Sequence, residues 1–267
     1  MEKTLNVKLL SHTMNPELLI ATAGKLCYSP SDIQTLVEKQ TPEMIDKFVN
    51  MLISMGHESP LEHVNFSFAI EGVSRSLTHQ LVRHRIASYS QQSQRYVNLD
   101  KSFSYVIPKK IKDNSGAKVL FEDAMKAAFE YYVLISRELL IQFMNEFYEE
   151  EYGGTADIEE IEKIMIQNHK KKYNAFTKMA IENARAVLPN ACETKIICTM
   201  NLRTLVNFCH HRCCKRAQDE INELAWAMIA EVKKVSPLLA ENLGASCQFG
   251  NCPEGSMCCG QPYPKKK

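Results

Sequence analysis

The chain has 267 residues, of which 45% are hydrophobic and 24% are charged, and its formal net charge is +1. This composition is that of a globular protein with a sizeable core, and the nearly neutral charge excludes a global attraction to nucleic acid or membranes. The sequence has no secretory signal pattern and no apolar run of roughly 18 to 20 residues. We therefore expect a cytoplasmic protein whose ten cysteines are reduced or bind metal.

The N-terminal part of the chain predicts scaffold elements. Apolar residues alternate over residues 5–10, which indicates a strand, and helical signals occur over residues 16–26, 32–38 and 41–55. The next segment, HESPLEH at residues 57–63, places two histidines and two glutamates around a proline. The proline argues against a regular helix that would bring both histidines onto one face, so we disfavour a metal site here. We interpret His63 as a capped or core histidine.

A half-buried strand over residues 64–70, ended by Gly72, is predicted to lead into a short helix capped by Ser74 or Ser76. After this helix comes a polar loop, RHRIASYSQQSQR at residues 83–95, with three arginines, three serines and three glutamines. Arginine offers a charged planar fork of donors, and serine and glutamine add neutral donors, so the loop suits phosphate. A solvated charge run is the other interpretation. No GxGxxG or P-loop motif follows a predicted strand, so a Rossmann-type site is not indicated.

The second half of the chain is mostly helical in pattern. Helical spacing extends over residues 120–147, and an acidic cluster followed by Gly153-Gly154 marks the end of this long helix. A helix over residues 158–172 would carry three lysines near its C-terminal end, where they suit the helix dipole. A helix over residues 176–187 and a strand over residues 193–200 then lead to a polar helical segment at residues 201–221.

Three segments, in the same order along the chain, resemble the signatures of the flavin-dependent thymidylate synthases. Arg83-His84-Arg85, seven residues and Ser93 match the RHR-x7-S motif, which Arg95-Tyr96 extends. Residues 182–189, ENARAVLP, are similar to the E-x-AR-x-x-LP element of the family, and residues 201–221 look like its third signature. The resemblance covers most of the chain between about residues 27 and 225.

The resemblance implies two overlapping sets of binding residues. The flavin FAD would contact His57, Ser59, Glu62, Arg83, His84, Arg85, Gln91, Asn201, Arg203 and Asn207. The nucleotide dUMP would contact Gln80, Arg83, Gln91, Ser93, Gln94, Arg95, Arg185 and Arg212. Arg212 is implied as the catalytic residue, because it would lie against the uracil ring and stabilise negative charge there.

The implied reaction converts dUMP to dTMP, with methylenetetrahydrofolate as carbon donor and FAD reduced by NADPH as hydride source. Ser93 also invites a nucleophile interpretation, but no base can be assigned to it from sequence, and we favour a binding role. Some members of the family carry glutamate at the position of Gln91 and arginine at that of His79, which affects the details of substrate contact.

By the same resemblance, the fold is α+β, a single domain with a twisted, mostly antiparallel sheet flanked by long helices. It would assemble as a homotetramer with shared active sites. We place this domain at residues 1–243 and a Cys-rich C-terminal tail at residues 244–267. Composition and periodicity alone indicate only a mixed α/β class, and the long helix supports extensive subunit contact without proving it.

The tail contains Cys247, Cys252, Cys258 and Cys259 within thirteen residues. Thiolates suit a structural zinc, with Cys213 or Cys214 as a further ligand, but the spacing is not a paired CxxC. Reduced cysteines or an oxidised pair are the alternatives. A rival function is a metal-stapled RNA- or DNA-binding protein that uses the basic loop and this tail, although the neutral charge counts against it.

Overall fold

The computed structural model describes residues 1–95 and 103–266, and its backbone contacts divide the chain into two compact units. Unit 1 comprises Met1–Lys3 and Gln92–Glu193, and unit 2 comprises Thr4–Gln91 and Thr194–Lys267. Each unit has hydrophobic clusters of its own. Tyr96, which extends the RHR motif, lies outside the described residues.

Strands and helices alternate irregularly along the chain, as expected for an α+β fold. The strands are β1 (Asn6–His12), β2 (Asn65–Ser74), β3 (Ala87–Gln91) and β4 (Glu193–Asn201). The helices are α1 (Pro16–Leu26), α2 (Ile33–Glu38), α3 (Pro42–Ser54), α4 (Arg75–Leu81), α5 (Lys109–Lys112), α6 (Ser115–Tyr152), α7 (Ile158–Asn168), α8 (Lys170–Ala184), α9 (Leu202–Arg212), α10 (Asp219–Lys233) and α11 (Pro237–Glu241). No helix within the described ranges combines the length and apolar character that crossing a membrane requires.

The sheet forms over the described residues in the order β1-β2-β4-β3. β1 pairs with β2 and β3 pairs with β4, both antiparallel, with Val7 opposite Ile70 and Tyr89 opposite Cys198. Alternate side chains of β2 and β4 are buried in the main core of unit 2, which α1, α4, α9 and α10 also line. This core fixes the ends of β4 and α4, where the predicted site residues begin.

Unit 1 is built on α6, which packs with α7 and α8 around a second cluster that includes Met144 and Ile161. Arg137 on α6 holds Glu162 on α7 through two hydrogen bonds of 2.9 and 2.7 Å, and Tyr173 on α8 donates to the same carboxylate at 2.8 Å. The hydrogen bond from Arg137, the largest effect, lowers the pKa of Glu162. These three side chains therefore connect the three helices.

Three predictions about elements were wrong. Gly72 does not end β2, because its positive φ of 69° lets the strand pass close to the backbone of Thr4. The predicted polar loop after α4 contains β3. This strand carries alternating serines instead of an apolar face, and it forms by pairing its backbone with β4. The helix predicted over residues 158–172 breaks at His169, where φ is −128° and ψ 36°, so the three lysines begin α8 instead of ending a helix.

Candidate active site

Arg212, the predicted catalytic residue, lies at the end of α9 and contacts the RHR run. Its Nε donates to Nε2 of His84 at 2.9 Å, so that ring nitrogen is an acceptor and His84 is neutral. Burial, followed by the charges of Arg212 and His211, lowers the pKa of His84 to about 4. The Nδ2 of Asn222 donates to the carbonyl oxygens of Arg212 and Cys214 at 2.8 and 3.1 Å, which fixes the end of the helix.

The RHR turn is held by buried neighbours of His84. The hydroxyl of Tyr89 donates to the carbonyl of His84 at 2.8 Å, and the ring of Phe208 meets the imidazole edge-on at 5.0 Å between centroids. Ile86 follows the turn with φ at 65°, a left-handed conformation that costs a β-branched residue about 1–2 kcal/mol. This backbone aims the RHR side chains and then enters β3.

Positive charge gathers around the neutral imidazole. Arg83 and Arg85 are exposed at the turn. Burial and then the charge of Arg83 lower the pKa of Arg212, which places Arg83 within electrostatic reach of it. Because His84 adds no charge of its own, the arginines are not opposed by an imidazolium.

The HESPLEH segment contacts Arg203 at the start of α9. Ser59–His63 forms one 3-10 turn, and Arg203 lies against it. The Nε of Arg203 is 2.8 Å from the Glu58 carboxylate, and its Nη1 is 2.5 Å from the Glu62 carboxylate. The hydrogen bond to Glu62, followed by the charge of Glu58, raises the pKa of Arg203. His57 is fixed by its backbone N–H, which donates to the Leu52 carbonyl at 2.9 Å.

The two asparagines of the third signature have different local roles. Asn201 caps α9, and its Oδ1 accepts from the Thr204 N–H at 2.9 Å, so its amide nitrogen is the group that can donate to a ligand. Asn207 lies on α9 and lines a cavity that also contains His84 and Arg212. Both amides therefore belong to the same helix as the predicted catalytic arginine.

The predicted glutamines are oriented by polar neighbours. The Nε2 of Gln91 donates to the buried hydroxyls of Thr78 at 2.9 Å and Thr194 at 3.3 Å. The Nε2 of Gln80 donates to Oε1 of Gln218. These bonds fix both amides without involving a charged group.

Unit 1 contains the other predicted nucleotide ligands. Arg95 binds the Glu182 carboxylate with Nε at 2.7 Å and Nη2 at 3.0 Å, and Nε of Arg185 donates to the Glu182 carbonyl at 3.1 Å. The Oγ of Ser93 accepts from the Arg95 N–H at 3.1 Å, and Gln94 donates to Sγ of Cys192. The guanidinium groups of Arg95 and Arg185 are thus both held by Glu182, and the hydroxyl of Ser93 lies next to Arg95.

The tail shows no metal site. Within residues 1–95 and 103–266, no group of three or more His, Cys, Asp or Glu side chains is arranged to hold a metal ion. None of the ten cysteines, all of which lie in those ranges, forms a disulfide. The zinc prediction for Cys247, Cys252, Cys258 and Cys259 is therefore unsupported by this arrangement.

Comparison with known families identifies the chain. A family model described as thymidylate synthase complementing protein matches residues 8–238. The chain belongs to this family. The resemblance drawn from the three motifs is therefore confirmed, and the family match ends a few residues before the predicted tail.

Relatives of the thymidylate synthase complementing protein family align with nearly the whole chain. A protein of Clostridium tetani, named flavin-dependent thymidylate synthase, is 52% identical over 263 residues, which are 98% of this chain and 96% of the relative. A protein of the same name from Geobacter sulfurreducens is 40% identical over 264 residues, which are 98% of this chain and 97% of the relative.

A solved structure shares the fold. The crystal structure of the UMP/dUMP methylase PolB from Streptomyces cacaoi bound with 5-Br dUMP matches with a TM-score of 0.63 and 19% identity, over 90% of this chain and 94% of that one. This likeness bears on the fold alone. Together with the observed elements, it confirms a fold of helices and an antiparallel sheet.

Several residues that orient the predicted side chains were not predicted from the family motifs. Glu58 and Glu182 each hold an arginine of the predicted set, and both lie in segments that the motifs include. Their position beside a motif arginine was the available signal. Asn222 and Thr194 gave no such signal in the sequence. Thr194, for example, is 103 residues from Gln91, the side chain that it orients.

Proposed function

We propose that this chain is a flavin-dependent thymidylate synthase that converts dUMP to dTMP. It would use 5,10-methylenetetrahydrofolate as carbon donor and FAD reduced by NADPH as hydride source, and residues 1–243 would carry the activity. The observation that carries the proposal is the pairing of Arg212 with a neutral His84 beside Arg83. Membership of the family and the names of the relatives agree with it.

The residues of unit 2 fit an FAD site by their chemistry. A dinucleotide needs cationic donors for its diphosphate and neutral donors and acceptors for its ring edges, and this unit offers Arg83, Arg85 and Arg203 with the amides of Asn201 and Asn207. Bound FAD would supply the hydride chemistry. His57, Ser59, Glu62, His84 and Gln91 would complete the contacts that we assign to it.

The phosphate of dUMP is assigned to the Glu182 region of unit 1. Glu182 fixes the plane of the Arg95 guanidinium by binding both Nε and Nη2, and it holds Arg185 through its carbonyl. Guanidinium groups bind phosphate in a bidentate manner with high directional preference. Ser93 and Gln94 would add neutral donors to the same phosphate.

Arg212 would act on the uracil ring. Because His84 Nε2 accepts from Nε of Arg212, the terminal nitrogens of the guanidinium are the groups that would donate to a ligand. A fixed cation beside the pyrimidine stabilises the negative charge that develops when the ring is activated toward the carbon donor. Arg83 reinforces this positive potential, and Asn222 keeps Arg212 in place.

The active protein would be a homotetramer with shared sites. Leu120, Tyr131 and Leu134 are 73%, 61% and 58% exposed on α6. At 100° per residue they fall within an arc of about 60°, roughly opposite the side that carries the buried Met125 and Tyr132. An exposed apolar stripe of this kind is typical of a subunit contact. The protein would act in the cytoplasm.

The test of this function is dTMP formation by the purified protein and by Arg212→Ala. The wild type should form dTMP when dUMP, methylenetetrahydrofolate, FAD and NADPH are all present, and omission of any one should stop it. Arg212→Ala should lower turnover by roughly a hundredfold or more while FAD still binds. Normal turnover of the variant would remove the catalytic role of Arg212, and no dTMP from the wild type would overturn the function.

A further inference from the structure

A cavity of about 440 Å³ lies in unit 2 between the end of α9 and the C-terminal tail. We call it the tail cavity. Arg212 and His84 line it on one side, and tail residues that include Cys252 and Cys258 line it on the other. The tail is fastened beside it, because the ring of Tyr263 meets Trp226 at 5.5 Å between centroids. The tail thus forms a wall of a cavity that contains the proposed catalytic arginine.

Two thiols of this wall lie near each other. Cys252 and Cys258 both line the tail cavity, and each thiol shifts the pKa of the other. The 3-10 turn Gly255–Met257 folds the intervening residues back, and the Cys258 N–H donates to the Gly255 carbonyl at 3.1 Å. The local backbone therefore brings both cysteines to the same wall of the cavity.

The surroundings of the two thiols differ. Arg216 is held next to Cys258, because Nη1 donates to the Met257 carbonyl and lies 3.7 Å from the Glu254 carboxylate. The N–H of Gly260, the Cys252 thiol and the Arg216 charge lower the pKa of Cys258. The N–H of Glu254 favours the Cys252 thiolate, but the contact with Cys258 and burial outweigh it and raise the pKa of Cys252.

We propose that Cys252 and Cys258 form a reversible dithiol–disulfide site in the wall of the tail cavity, and that small soluble disulfides are its reaction partners. The Cys258 thiolate attacks one sulfur of the small disulfide, which forms a mixed disulfide and releases one small thiolate. The Cys252 thiolate then attacks Sγ of Cys258, forms the Cys252–Cys258 bond and releases the second small thiolate. The two protein thiols are oxidised, and their protons convert both released thiolates to thiols.

This chemistry goes beyond thymidylate synthesis and needs none of its substrates. Exchange requires an accessible thiolate and a resolving thiol nearby. Cys258 is exposed, and Cys252, which lines the same cavity, is partly buried. Cys198 and Cys209 lack this combination. Burial raises the pKa of Cys198 to about 12, and Cys209 is buried within the core.

The test exposes the full-length protein to oxidised glutathione, followed by alkylation and peptide mass spectrometry. In the wild type, we expect a Cys252–Cys258 disulfide without retained glutathione, which dithiothreitol reverses. Cys252→Ser should keep glutathione on Cys258, and Cys258→Ser should react at Cys252 at least roughly tenfold more slowly. Cys27→Ser is the matched control, since it removes an exposed thiol that does not line the tail cavity and should react like the wild type.

Three results would overturn the proposal. The first is glutathione spread at similar rates over Cys27, Cys258 and Cys259, because exposure alone would then explain the reaction. The second is a Cys252→Ser variant that retains no more adduct than the wild type. The third is stoichiometric zinc that leaves the thiols unreactive until a chelator removes it. The mass readout does not depend on turnover, so a failure of the thymidylate synthase function would leave this test intact.

Discussion

The arginines of the candidate site are oriented by neighbouring side chains before any ligand binds. Glu182 holds Arg95, Glu62 holds Arg203 and His84 holds Arg212. The two exposed ion pairs, Arg95–Glu182 and Arg203–Glu62, add little to stability, since screening and side-chain entropy offset their attraction. Their value is orientation, because a guanidinium already fixed in its plane loses less entropy when it binds phosphate or stabilises charge.

Arg95→Lys tests the phosphate assignment. Lysine keeps the charge but loses the planar fork, so we expect the affinity for dUMP to fall roughly tenfold or more while the affinity for FAD changes little. Isothermal titration with each ligand measures both. Arg137→Lys is the matched control, since it breaks a bidentate pair with Glu162 in the same unit and should leave dUMP binding unchanged. Equal loss of dUMP affinity in both variants would contradict the assignment.

The half-buried imidazole of His84 predicts a pH dependence of stability. Its folded pKa of about 4 lies below the ordinary value of 6.5, so between these values the unfolded chain binds a proton that the folded chain does not. The free energy of unfolding of the wild type should therefore fall as the pH is lowered through this window, relative to His84→Gln, which accepts from Arg212 without titrating.

Urea unfolding at about pH 7.5 and about pH 5 measures this difference. The stability advantage of the wild type over His84→Gln should shrink at the lower pH. His79→Gln, at an exposed position on α4, is the control and should show no such change relative to the wild type. An advantage that is equal at both pH values would show that His84 is not held neutral by its site.

At the scale of elements, Gly72 is a position where both the backbone conformation and the lack of space require glycine. A Cβ there would lie 1.9 Å from the Thr4 carbonyl oxygen, and φ is 69°. Gly56 has nearly the same φ, 72°, but nothing within 4 Å of a Cβ. Gly56→Ala should cost about 1 kcal/mol from conformation alone, whereas Gly72→Ala should cost about 3 kcal/mol or more because β2 must move. Thermal unfolding of both variants measures the contrast, and equal losses would contradict it.

The elements show what local sequence could predict. The start of α3 followed from Thr41 and its proline, because capping acts over a few neighbouring residues. The strand β3 did not follow, because its serines and glutamine gain their partner from β4, more than a hundred residues later. The break at His169 was not predicted either, and the ring of this residue contacts Phe147 and hydrogen-bonds Tyr152, partners that no local pattern reports.

At the scale of the whole molecule, the motifs predicted the family and left its spatial arrangement open. The RHR-x7-S motif identifies candidate arginines in the sequence. It does not predict the pairing of His84 with Arg212, because these residues are 128 positions apart. Resemblance supplied the roles, and the fold supplied the neighbours that orient them. The tail cavity depends on the packing of tail residues beside α9 and was not predicted.

The proposed tetramer predicts a particle mass four times the 30.4 kDa of the chain. Leu134→Glu places a charge in the exposed apolar stripe of α6 and should shift the mass toward smaller species, because a desolvated carboxylate opposes association. Light scattering coupled to gel filtration measures both proteins. Glu138→Gln, one turn along α6, is the control and should keep the wild-type mass. A monomeric wild type would contradict the proposed assembly.

The most direct test of the central claim is the visible absorption spectrum of the purified protein supplied with FAD. We predict that FAD binds, that added dUMP perturbs the flavin bands, and that NADPH then bleaches them without oxygen. These changes would place both ligands in one site and leave folate-dependent turnover as the remaining step. No FAD uptake and no response to dUMP would contradict the account and return attention to nucleic-acid binding by the RHR segment.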